Sequence, residues 1–208
     1  MTTKTIRPLL SCDGFRIGAF AVPEFTVHPG EVAQLAFNEN TFESGDVFDE
    51  LLEKFQAPTP GGPISSKSVV VARPAMPLRQ WRTMFRSQTL LYWLSKNTEL
   101  SQQEAGRQIS AAGLKPDMPF AHAAGNPRTA LGILAALNTP ADTIVFWTSG
   151  MCDPTGVQRV LSLIFGQLNK RAAIYVTSPV DWNWPEFKFT SSLTIARWSE
   201  EPNTRVAG

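Results

Sequence analysis

Residues 141–179, ADTIVFWTSGMCDPTGVQRVLSLIFGQLNKRAAIYVTSP, decide how the rest of the chain folds. Thr143-Ile144-Val145-Phe146-Trp147 and the run Ala172 to Thr177 are apolar, rich in β-branched and aromatic residues, and too short for helices. Between them a polar turn, Thr148 to Pro154, leads into an amphipathic run, Thr155 to Asn169. Asp153 suits a helix N-cap and Pro154 the first helical position. Val157, Val160, Leu161, Leu163, Ile164 and Leu168 gather on one helical face. Lys170 and Arg171 follow at the negative end of that helix's dipole. Two strands apolar throughout, joined through a helix, predict a parallel pair with a right-handed crossover, in a sheet covered on both faces.

The whole chain fits that core. Its 208 residues suffice for one α/β domain, and 43% hydrophobic with 18% charged residues excludes a disordered chain. A net charge of +1 gives no footprint for nucleic acid. Cys12 and Cys152 make no disulfide framework and fit a reducing compartment. The first ten residues lack the apolar region of a signal peptide, and no apolar stretch approaches the roughly 20 residues of a membrane span. A cytoplasmic location is expected.

Working outward, Ile6 to Val27 reads as one or two strands broken by a turn at Asp13-Gly14. Pro29-Gly30-Glu31 is a turn, Val32 to Phe37 a strand, and Ser44 opens a helix carrying Val47, Phe48, Leu51, Leu52 and Phe55. Ala57 to Lys67, rich in Pro, Gly and Ser, reads as loop, and Ser68 to Ala72 as a short β-branched run. Leu78 to Lys96 is predicted as one helix, with Arg79, Arg82 and Arg86 on its outer side. That stripe reads as a solvated face; a docking surface for an acidic partner or lipid headgroups is the alternative. Ser101 and Glu104 form a capping-box pattern for a helix that Gly113 ends. Lys115 to Pro127 is loop-like, Arg128 to Leu137 a helix, and Ser191 to Trp198 a late strand.

In this order the landmarks resemble those of an ATP-binding cassette (ABC) ATPase domain. Pro29-Gly30-Glu31 and the strand Val32 to Phe37 look like the lead-in to the family's phosphate loop, G-x-x-x-x-G-K-S/T. Of the aligned residues Phe37 to Ser44, only Ser44 matches. Phe37 and Phe42 stand for the glycines whose bare backbone wraps phosphate, and Glu43 stands for the lysine that neutralises it. Glu39 adds a second carboxylate. Ala123-Ala124-Gly125-Asn126-Pro127-Arg128 lies where the family has its signature: Gly125 matches, and Ala124 lacks the serine hydroxyl that would meet a partner's γ-phosphate. Phe146 and Trp147 align with the Asp-Glu pair that holds Mg²⁺ and activates water. Cys152-Asp153-Pro154-Thr155-Gly156 resembles the family's D-loop, Ser178 stands for the switch histidine, and Arg73 falls near the metal-sensing glutamine.

The resemblance implies a P-loop NTPase-like, mostly parallel central sheet with antiparallel N-terminal strands. It implies one domain over residues 1–208, with a small helical insertion at about 74–122. The changed letters imply a catalytically inactive protein with no cofactor, acting as a structural or regulatory partner. The partner would be a second copy or an ABC-type subunit, which would hold this chain peripheral to a membrane. The alternative is an enzyme or small-ligand binder that reuses the cleft through Glu39, Glu43, Ser44, Ser149 and Ser178. His28 and His122 are not spaced as metal ligands, and a Cys152–His122–Asp153 nucleophile system is the weaker reading of those residues. Trp182, Trp184, Phe187 and Phe189 read as packing or interface residues, with base stacking the alternative.

Overall fold

The computed structural model describes residues 7–38, 45–58, 61–78, 88–148, 151, 153–177 and 184–198. The predicted central unit is present: strand β6 (Thr143–Trp147), helix α5 (Pro154–Gln167) and strand β7 (Ala172–Thr177). The two strands pair in parallel, from Thr143 opposite Ala172 to Trp147 opposite Val176. Upstream lie β1 (Leu10–Ile17), β2 (Phe20–Val27), β3 (Val32–Phe37), α1 (Gly45–Gln56), β4 (Ile64–Ser66) and β5 (Val69–Val71). The helices α2 (Leu90–Asn97), α3 (Gln102–Ala111) and α4 (Asn126–Leu137) follow, with a 3₁₀ turn at Phe120–His122, and β8 (Ser191–Arg197) comes last.

The eight strands among the described residues join one sheet in the order β4-β1-β2-β8-β3-β7-β6-β5. From β8 to β5 the pairs are parallel; β4, β1, β2 and β8 pair antiparallel. Alternation along the central strands feeds two cores. Leu35, Phe37, Val145, Trp147, Ile174 and Val176 face α1 and the N-terminal strands. Ile144, Phe146, Ala173 and Tyr175 face α4 and α5. A third core, including Leu90, Leu94, Ile109 and Phe120, joins α2 and α3 to the far side of α4. Among the described residues no helix is long and apolar enough to cross a membrane.

Three expectations are corrected. Asp13-Gly14 is not the hairpin turn: β1 continues through it, with Asp13 opposite Glu24 and Phe15 opposite Val22. The chain turns at Gly18-Ala19, where Ile17 pairs with Phe20 and Gly18 takes φ +52°. A two-residue loop opening with glycine matches strand twist better than Asp-Gly inside a continuing ladder. The loop Ala57 to Lys67 contains β4, held by pairing of Leu10 with Ser66 and Cys12 with Ile64. The helix expected over Leu78 to Lys96 begins only at Leu90. Thr89 is extended (φ −96°, ψ 163°) and caps it, accepting from the Tyr92 N–H at 3.2 Å. Gln88 bonds both backbone groups of Leu78 instead of joining a helix. Arg79, Arg82 and Arg86 lie outside the described residues.

Candidate functional site

Parallel pairing sets three strand ends at one level, Ala36 opposite Thr177 and Trp147 opposite Val176. In open α/β sheets ligands sit beyond the carboxyl ends of such strands. Here that edge divides into two halves of different chemistry.

The first half lies at the end of β3. Phe37 is 2% exposed and Trp147 8%. Phe20 meets Phe37 edge-on at 5.7 Å between centroids, Phe37 lies 6.4 Å from Phe48, and Phe48 meets Trp147 edge-on at 5.3 Å. These spacings are those of favourable aromatic pairs. The backbone N–H of Asn38 donates to the Ile195 carbonyl at 3.1 Å, tying the exit of β3 to β8. Phe42, Glu43, Ser44 and Ser178, and with them Glu39 and Ser149, lie outside the described residues.

Phe146 points to the opposite face from Trp147, as alternation along a strand requires. Its ring stacks on Tyr175 at 4.9 Å and 12°, and Tyr175 stacks in turn on Phe189 at 5.7 Å. The Tyr175 hydroxyl shares a buried 2.6 Å hydrogen bond with Thr148 Oγ1, which satisfies both polar groups. Trp184, Phe187 and Phe189 pack against this core; Trp182 lies outside the described residues.

The second half is the corner where α4 and α5 begin. Gly125 is the N-cap of α4 at φ +48°, ψ −108°, a region that favours glycine, and it supplies no side-chain cap. Ala124 and Gly125 are exposed. The guanidinium of Arg128 sits over the Phe120 ring at 5.3 Å. At α5, the Asp153 carboxylate accepts from the backbone N–H groups of Thr155 at 3.1 Å and Gly156 at 3.0 Å. A Cβ on Gly156 would lie 3.2 Å from Asn126 Nδ2, 3.2 Å from Met151 Cε and 3.3 Å from Asp153 Oδ2. The structure thus brings Asn126, Met151 and Asp153 together around Gly156, and Phe37 together with Trp147.

Three contacts of this region were not read from the sequence. A Cβ on Gly132 would overlap the Arg73 carbonyl, so α4 packs directly on the Arg73-Pro74 backbone. The Ala75 N–H bonds the Arg128 carbonyl at 2.8 Å beside it. Arg171, expected to complement the dipole of α5, turns instead to α4. Its Nη1 donates to Leu137 O at 2.7 Å, Nη2 to Ala136 O at 3.3 Å and Nε to Ala141 O at 2.8 Å. Burial pushes its pKa down, and Asp142 opposes that shift. The signal that could have found Arg171 is the need of α4's last carbonyls for donors.

Arg73, at the expected glutamine position, reaches α1, with Nη1 3.8 Å from Asp49 Oδ1 and Nη2 3.5 Å from Gln56 Oε1. Among the described residues no group of three or more His, Cys, Asp or Glu is arranged to hold a metal. His28 Nδ1 faces Glu31 at 3.2 Å, and His122 is exposed. Cys152 lies outside the described residues, and both oxygens of Asp153 serve the α5 cap. Burial pushes the Cys12 thiol up. A depression of about 400 Å³ beside Glu50, Glu53 and Ile64, and one of about 660 Å³ beside Lys96 and Asn138, are lined by residues outside the corner just described.

Solved structures match this arrangement of strands and helices. A protein described as an ABC transporter ATP-binding protein from Pyrococcus furiosus superposes with a TM-score of 0.62 at 11% identity, over 89% of this chain and 96% of that one. This chain has an ABC ATPase-like fold. CbiO1 of Clostridium perfringens, part of the ABC transporter complex CbiONQ, gives 0.53 at 14% identity over 84% and 80% of the two chains. A metal-chelate type ABC transporter in an inward-facing conformation gives 0.54 at 18%, over 81% and 72%. No family model and no curated protein sequence matches the chain. At these identities the likeness establishes the P-loop NTPase-like architecture and leaves activity to the residues.

Proposed function

We propose that this ABC ATPase-like domain is a pseudo-ATPase, a structural or regulatory partner that does not hydrolyse ATP. The observation that carries the reading is the packing of Phe37, Phe48 and Trp147 at the strand edge. By the resemblance, the family's phosphate-binding and water-activating groups would stand at this half of the edge, and the rings there offer a metal no ligand. The sequence adds Glu43 in place of the phosphate-binding lysine, with Glu39 close in the chain. A carboxylate about 4 Å from a phosphate charge costs roughly 4 kcal/mol at an intermediate effective dielectric. The helix N-terminus returns only about 1 kcal/mol.

The other half-site supports a partner role. Ala124 and Gly125 are exposed at the bare start of α4. We assign this face to a protein partner, either a second copy or an active ABC-type subunit. The chain then works in the cytoplasm, peripheral to a membrane through that partner and without a cofactor of its own. Titration calorimetry with Mg-ATP, together with a phosphate-release assay, tests the claim. No binding in the micromolar range and no turnover are expected; micromolar heats or catalytic phosphate release would overturn it.

A further inference from the structure

We draw no further inference here: the strongest candidate, the bare amino end of α4 at Gly125 with the nearby Arg128 Nε buried and unpartnered among the described residues, belongs to the site already described, is a helix end whose arginine is only partly buried, and holds no group that points to a ligand.

Discussion

The two halves of the strand edge are built from different materials. At the end of β3 the contacts are rings: Phe20, Phe37, Phe48 and Trp147 touch in sequence along one face. At the start of α4 and α5 the contacts are backbone and short polar groups, Gly125, Asn126, Asp153 and Gly156, with the Met151 side chain beside them. Aromatic packing tolerates substitution by size, because its energy follows buried area and fit. A corner built on glycine and a helix cap responds to chemistry instead, because a Cβ on Gly156 would crowd Asn126, Met151 and Asp153 and a lost acceptor leaves helix N–H groups unpaired. The lesson is that one sheet edge can carry an aromatic wall and a glycine-and-cap corner side by side. Whether each half is what it looks like can be tested by removing its defining atoms.

Trp147→Ala should have the largest effect. The side chain is nearly buried against Phe48, and deleting it leaves a cavity in the core shared with α1. Large aromatic truncations cost roughly 3–5 kcal/mol, while Trp147→Phe should cost much less. Urea denaturation measures both. A loss below about 1 kcal/mol for the alanine variant would mean the rings form no packed wall, and the contrast between the halves would collapse.

Gly132→Ala comes next, and here the sign decides. In an exposed helix interior the change would stabilise by about 1 kcal/mol through helix propensity. Here the new methyl meets the Arg73 carbonyl, so α4 must move off the Arg73-Pro74 segment. Overpacking of this kind costs roughly 1–3 kcal/mol. A rise in melting temperature would show that the close approach of α4 is not enforced.

Asp153→Ala probes the corner itself. It removes the acceptor for both the Thr155 and Gly156 N–H groups at the start of α5. A lost N-cap costs about 1 kcal/mol, and Asp153→Asn should recover most of it. If the asparagine variant were as unstable as alanine, the charge of Asp153 and not its acceptor geometry would hold the start of α5.

What could be read in advance follows from how local each signal is. The unit β6–α5–β7 was legible because Asp153-Pro154 caps a strongly periodic run between two apolar strands. The capping box at Ser101 was legible for the same reason. Asp13-Gly14 misled because the local turn signal is overruled by the pairing of Ile17 with Phe20 further along. β4 carried no signal of its own: Ile64-Ser65-Ser66 is a strand only because β1 lies beside it. The long helix failed at Thr89, where apolar spacing continues but the hydroxyl caps a new start. Phe37 and Trp147 at strand ends and Asp153 as the cap of α5 could be placed from order along the chain. Gly132 and Arg171 could not, since each answers to a backbone far away in sequence.

The smallest effect expected lies in α3, which packs with α2 on the far side of α4. Glu104 Oε2 accepts from the Ser101 N–H at 3.1 Å and from its hydroxyl at 2.5 Å, while Ser101 Oγ accepts from the Glu104 N–H at 3.3 Å. The bond from the Ser101 side chain, then that from its backbone, holds the carboxyl below its ordinary value of 4.5. A carboxylate depressed in the folded state binds its proton more readily once unfolded. Its contribution is therefore complete above pH 4.5 and is lost as pH falls through the lower folded value. Glu104→Gln should accordingly lower the melting temperature slightly at neutral pH, because amide hydrogen bonds replace charge-assisted ones. Melting curves of variant and parent should converge as the buffer is taken well below pH 4.5. A gap that widened on acidification would mean that the carboxylate does not support this turn, and that the helical region depends on apolar packing as much as the aromatic half does.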